Sequence, residues 1–271
     1  MTQVQPRVVA CMPAWNAEPF IQKTLDSLAA QTYPNLHILI SDDASDDGTA
    51  AICERFAATD SRVRVVRQTK RLGWIGNANY LLNEARGEYL FFAFHDDPLL
   101  ADYVSRLADA LQSHPSAVLA FSDVFSRDSV ASYRELEHVT SRVERARRLI
   151  RKRGSWWVPN RGLFRAEAAR RIGGMRRHLA GEYKADWPWL LHLALLGEFV
   201  RVPEPLIRKE WRDVSVSAQW GRRLTLQKST AVLLACSREV RRRSLPLSEE
   251  LFLHAELARF WVRSVVRGRR W

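Results

Sequence analysis

Leu36-His-Ile-Leu-Ile-Ser-Asp42-Asp43-Ala-Ser-Asp46-Asp47-Gly48-Thr49 decides the fold: an apolar run ends in a cluster of carboxylates. The same pattern returns at Tyr89-Leu-Phe-Phe-Ala-Phe-His95-Asp96-Asp97. A short run rich in β-branched and aromatic residues reads as a buried strand. In open α/β sheets, ligands bind just beyond the carboxyl ends of strands. Carboxylates gathered at two such ends point to a polar ligand accompanied by a metal ion.

Strand and helix patterns alternate outward from these two runs. Val8 to Met12 reads as a first strand, Glu18 to Gln31 as a helix, Leu36 to Ile40 as the second strand and Thr49 to Ala58 as a helix. Val63 to Val66 (strand), Ile75 to Ala85 (helix), Glu88 to Phe94 (strand), Asp102 to Gln112 (helix) and Ala117 to Phe121 (strand) continue the series. Such alternation predicts right-handed crossovers and a mostly parallel sheet. Arg134 to Arg153 interrupts it with a basic stretch that reads as a surface helix or loop. Beyond it come a compact segment around Phe164, a helix over Asp186 to Leu196, and short strands at Phe199 to Val202 and Pro205 to Arg208. Two helices close the chain, Arg222 to Arg243 and Glu249 to Val266, the latter with Ser248 as N-cap.

The 271 residues, 46% of them apolar, suffice for one substantial core. No run approaches the ~18 apolar residues of a spanning helix, and Met1-Thr-Gln-Val-Gln-Pro-Arg lacks a signal-peptide core, so the expected location is cytoplasmic. Cys11, Cys53 and Cys236 are widely spaced and indicate neither a zinc site nor disulfides. Residues 1 to 100 hold 9 Lys/Arg against 12 Asp/Glu, and the rest hold 33 against 18, so the net +12 divides into −3 and +15. Such asymmetry suits nucleic acid, an anionic membrane or a phosphorylated substrate. The clusters Arg142 to Arg153 and Arg241 to Arg243 are candidates for a peripheral contact with the inner face of an anionic membrane, with a merely solvated basic face as the alternative.

At the first strand's end lies Met12-Pro13-Ala14-Trp15-Asn16, followed after a helix by Gln31-Thr32-Tyr33-Pro34-Asn35. With Asp42 to Thr49 and Ala85-Arg86-Gly87-Glu88-Tyr89-Leu90 in the same order, the first hundred residues resemble the family 2 glycosyltransferases of the GT-A fold. The resemblance implies a Rossmann-like α/β sheet flanked by helices. It divides the chain into residues 1–220, nucleotide-sugar binding up to 100 and acceptor binding after it, and a helical basic C-terminal extension at 221–271. It further implies an inverting transferase that moves a sugar from a nucleoside diphosphate, UDP favoured, to a glycan or lipid-linked acceptor, with no nucleic-acid partner.

The resemblance places Pro13, Ala14, Trp15, Asn16, Asp42, Asp43, Arg71 and Asp96 on the nucleotide sugar. Chemically, Asp43 can accept an imide N–H of a base while Trp15 offers an apolar face. The competing reading packs Trp15 in the core and makes Asp42 and Asp43 helix caps. Asp96 and Asp97 take the metal position, where Mg²⁺ or Mn²⁺ would bind hard oxygen ligands and neutralise the leaving diphosphate. His95 reads as structural. Asp186, in Glu182-Tyr-Lys-Ala-Asp186-Trp-Pro188, matches the family's general base. Asn160, Arg161, Gly162 and Trp187 fall on the acceptor side, with Trp189, Trp211 and Trp220 nearby and a core role as the default for these tryptophans.

Several positions depart from the family pattern. Phe94 stands where the first metal-motif Asp is usual, and Ala185 where Glu precedes the base. Ala78-Asn79 replaces a frequent Arg-Asn, so Arg71 or Lys70 would serve the diphosphate, and Arg212 is a further candidate. These departures keep a catalytically degenerate relative open. A nucleotidyltransferase would want a glycine-rich phosphate loop, which Pro13 to Asn16 is not. A basic nucleic-acid-binding protein would show steep salt dependence of binding.

Overall fold

The computed structural model describes residues 5–152, 155–210 and 226–266. Its sheet begins as the sequence predicts. Strands β1 (Val8–Ala14), β2 (Leu36–Asp42), β3 (Val63–Arg67) and β4 (Tyr89–Phe92) are parallel, in the order β3-β2-β1-β4, linked through helices α1 (Ile21–Ala29), α2 (Thr49–Thr59) and α3 (Gly73–Glu84). β1 is buried along its whole length, with strands flanking both its edges and α3 packed against it. In register, Ala14 pairs with Asp42 and Cys11 with Phe92, so the carboxyl ends of β1, β2 and β4 open side by side.

After α4 (Tyr103–Ser113) the sheet turns mixed. β5 (Ala117–Ser126) runs antiparallel to β6 (Ser129–Ala131) and to β7 (Leu163–Arg165), which joins it to β4. The hairpin β5–β6 turns at Arg127, whose φ of 53° lies in the left-handed region. The two short strands expected at Phe199 and Pro205 form one strand, β8 (Glu198–Lys209), parallel to β5. Its register shifts opposite Ser122–Val124, beside Pro203 and Pro205, which lack the N–H a regular ladder needs.

Helices α5 (Arg142–Arg151), α6 (Ala166–Ile172), α7 (Asp186–Leu196), α8 (Leu226–Arg241) and α9 (Leu247–Val266) complete the fold. The basic stretch is thus a helix, with Ser141 accepting the Glu144 N–H as its cap. One of its arginines is turned inward and the other four are paired with carboxylates. Arg145 is buried and donates to the carbonyls of Ala194 and Val139, Arg142 pairs with Glu249, Arg151 with Glu256, and Arg147 and Arg148 with Glu144. α9 starts at Leu247, so Ser248 lies inside the first turn rather than at the cap. Leu257 and Phe260 pack inward from α9, whereas Leu251 is 59% exposed.

Candidate active site

The loops after β1 and β2 are laced together. Asn16, at φ 45°, donates its backbone N–H to Ser45 Oγ (3.0 Å) and accepts the Asp46 N–H at its Oδ1 (3.2 Å). Ala17 donates to Thr49 Oγ1 (2.7 Å), Glu18 to Asp47 (3.1 Å), and Glu18 accepts the Gly48 N–H (2.8 Å). Side chains in these turns replace the backbone partners a loop lacks, which fixes the cleft wall. Asp42 is consumed by this lacing. It accepts the Ser45 hydroxyl and backbone N–H, faces Arg67 at 3.8 Å and is fully buried, so the expected ligand contact does not fall on it.

Asp43 caps a helix, but the third rather than the second. Its carboxylate accepts the N–H groups of Leu72 (2.6 Å) and Gly73 (2.9 Å). Burial pushes its pKa up, against the pull of those two N–H groups and Arg71. Glu182 accepts the next two N–H groups, Trp74 (3.0 Å) and Ile75 (3.3 Å), and pairs with Arg177 at 2.9 Å. Two carboxylates from distant segments thereby satisfy the four N–H groups that open α3 and complement its dipole. Gly73, at φ +79°, is required here, because a Cβ would lie 2.6 Å from Glu182 Oε1. Arg71 lies over Trp15, 3.4 Å from the ring centroid. Trp15, Asp43 and Arg71 are therefore brought to one place, with Pro13 and Ala14 behind them on β1.

Beyond β4, His95 is structural: its Nδ1 donates to the Pro13 carbonyl (2.9 Å) and its ring stacks on Phe20. Asp96 is half-buried. Asp97 is buried and faces two cations, but its Oδ1 has no hydrogen-bond partner among the described residues. Its Oδ2 accepts from Arg161 Nε (2.6 Å) and has Nη2 of the same guanidinium 2.5 Å away, and Lys209 Nζ lies 3.6 Å from its Oδ1. Phe94, under the Arg161 guanidinium at 4.9 Å, offers no ligand. Among the described residues no three His, Cys, Asp or Glu side chains converge as a metal cage. A divalent ion needs open oxygens, and the one carboxylate of the pair not locked to Arg161 is Asp96. Asp97 Oδ1 is open as well but stands 3.6 Å from the Lys209 ammonium, which repels a second cation, so the donor set does not fit the expected metal.

Asp186 opens α7, and its Oδ2 accepts from Asn160 Nδ2 (2.9 Å). Burial raises its pKa to about 7, with Lys184 and Arg161 opposing the shift. Its Oδ1 has no hydrogen-bond partner among the described residues. A carboxylate so tuned can take a proton near neutral pH. The short turn Pro159–Arg161 thus delivers Asn160 to Asp186 and Arg161 to Asp97. Two acceptor-side expectations fall to packing. Trp187 is 1% exposed with its ring against Phe260, and Gly162 serves the sheet, since a Cβ there would lie 2.5 Å from the Ala120 carbonyl. Trp211, Arg212 and Trp220 lie outside the described residues.

The family model for glycosyl transferase family 2 matches residues 9–170, more than half of the chain. The chain belongs to glycosyl transferase family 2. The curated relatives include glycosyltransferase GlyA of Streptococcus pneumoniae serotype 4, 34% identical over 104 residues, which are 38% of this chain and 15% of that protein. Another is the GalNAc(5)-diNAcBac-PP-undecaprenol beta-1,3-glucosyltransferase of Campylobacter jejuni, 31% identical over 103 residues, 38% of this chain and 33% of that protein. The chain spans less than half the length of either. S. aureus TarS 1-349 in complex with UDP-GlcNAc shares the fold at a TM-score of 0.76 and 16% identity, over 96% of this chain and 74% of that one. The GT-A architecture inferred from the motifs is therefore present.

Within this family 2 domain, two groups escaped sequence reading. Glu182 reaches α3 from about 107 residues away, and Lys209 reaches Asp97 from the end of β8. Neither carries a local signal, because both contacts are made by chain crossings. The pairing of Arg161 with Asp97 was equally invisible, although both residues stood out by motif.

Proposed function

We propose that this chain transfers a sugar from a nucleoside-diphosphate sugar, UDP favoured, to a hydroxyl of a glycan or lipid-linked acceptor, with inversion at the anomeric carbon. The observation that carries the reading is Asp186. It is buried, raised to about 7, held by Asn160 on one oxygen and without a partner among the described residues on the other. In the reaction, the acceptor hydroxyl attacks the anomeric carbon as Asp186 removes its proton, and the bond to the nucleoside diphosphate breaks on the opposite face. Trp15 and Asp43 would hold the base, and the rigid, laced loops would keep the donor fixed during attack.

UDP is favoured because the TarS neighbour is in complex with UDP-GlcNAc. A lipid-linked acceptor is supported by the undecaprenol in the Campylobacter relative's name. No helix among the described residues is long and apolar enough to cross a membrane. Peripheral contact is supported instead by exposed Leu247, Leu251 and Val262 on α9, and binding to anionic vesicles checks it.

The test incubates the protein with a panel of nucleotide sugars and polyprenyl-diphosphate glycan acceptors, and reads product configuration by NMR. Transfer with inversion, lost in D186N while donor binding persists, is the expected result. Hydrolysis or transfer unaffected by D186N would refute the assignment. Binding that shows a steep salt slope with DNA or RNA, and none with nucleotides, would favour a basic nucleic-acid-binding protein.

A further inference from the structure

We propose that Arg161 and Lys209 take the place of a divalent metal ion in this chain, balancing Asp96 and Asp97 and receiving the donor's diphosphate. The proposal rests on the reading of the cleft as a nucleoside-diphosphate-sugar site.

The charge count comes first. Two carboxylates stand at the end of β4, and two cations of the protein face them, so Asp96 and Asp97 are neutralised without an added ion. The pairing is built into the core rather than borrowed from the surface. Side-chain exposure is 2% for Asp97, 8% for Arg161 and 14% for Lys209. The oxygen of Asp97 that Arg161 leaves open, Oδ1, lies 3.6 Å from the Lys209 ammonium, so a metal ion approaching it would meet a cation of the chain.

Arg161 is held from several sides. Its Nη1 donates to the Trp157 carbonyl (2.9 Å), and its guanidinium lies over the rings of Phe94 (4.9 Å) and Trp157 (5.3 Å). Hydrogen bonds to Asp97 and Trp157 use two of the five guanidinium N–H groups among the described residues, and Nη2 lies against the same Asp97 oxygen, which leaves donors for an incoming anion. Phe94 has a purpose in this arrangement. An aromatic face supports the cation where a carboxylate would have drawn in a metal.

Lys209 completes the geometry. Its ammonium and the Arg161 guanidinium both face the one Asp97 carboxylate, so an additional anion is welcome there. The same Arg161 that pairs with Asp97 acts electrostatically on Asp186. Leaving-group charge and acceptor proton would thus be managed from one short turn, Asn160 on the base and Arg161 on the diphosphate. During transfer the glycosidic C–O bond to the diphosphate breaks, its electron pair goes to the departing oxygen, and Lys209 and Arg161 meet the new negative charge.

The experiment titrates UDP, GDP and dTDP into metal-stripped protein by calorimetry, once with EDTA and once with Mn²⁺, and counts bound Mn²⁺ by its EPR signal. The expected result is one diphosphate that binds with EDTA present and changes affinity by less than about threefold when Mn²⁺ is added. Lys209→Met should weaken that binding by about tenfold or more, as loss of a charge-assisted contact does, while Lys209→Arg retains most of it. Circular dichroism shows whether Lys209→Met has kept its fold, and Lys209→Gln replaces it if not. Binding that requires Mn²⁺, with stoichiometric bound Mn²⁺, overturns the proposal and leaves the donor-site reading standing. No binding of any nucleotide in either condition overturns the donor-site reading and the proposal with it.

Discussion

Replacing Asp186 with Asn separates what this carboxylate costs the fold from what it does for the reaction. Burial raises its pKa from an ordinary 3.8 to about 7, so the folded protein holds a proton that the unfolded chain has released between those values. Stability must fall across that window by ~1.4 kcal/mol per pH unit, and above pH 7 the full cost, roughly 4 kcal/mol, is present. D186N removes it, because a neutral amide keeps the contact with Asn160 without a buried charge. Thermal unfolding followed from pH 5 to pH 8.5 should show D186N gaining on the wild type as pH rises, by on the order of 10 °C at the alkaline end. Transfer by the wild type should rise with pH and level off above about 7, as Asp186 deprotonates. Stability curves that run parallel for the two proteins across this range would refute the buried-carboxylate argument and the assignment of the base together.

Other consequences can be checked on the same protein. G162A forces a methyl group against the Ala120 carbonyl and should cost about 1–3 kcal/mol in urea unfolding, with no exchange of partners in the site. R201M leaves Asp123 buried without its bidentate partner and should destabilise by about 3–5 kcal/mol, whereas exposed Arg64→Ala should change little. E182A strips the caps from Trp74 and Ile75, so amide exchange should accelerate at those two positions ahead of the rest of α3. Asp43→Ala frees the N–H groups of Leu72 and Gly73 and should abolish the thermal shift produced by nucleoside diphosphates.

Much of this could be read along the chain. Strands β1 to β4 and their helices were legible because buried parallel strands are continuous apolar runs, and because the carboxylates that end β2 and β4 are local features of sequence. The family signature, the base proposed at Asp186 and the structural part for His95 came from the same local order. Other features were set by residues that meet across the sheet. Leu36 to Thr49 says that Asp43 sits at a strand end, yet only the fold places Leu72 and Gly73 above it. The motif says Asp97 is an acid beside Asp96, yet Arg161 and Lys209 arrive from 64 and 112 positions away to neutralise it. Trp187 looked like a sugar platform until α9 closed over it with Phe260. Periodicity and motif order constrain a residue through its near neighbours, so they determine elements and their ends. Which charges are balanced, and which rings are buried, depends on contacts between segments that no local pattern records.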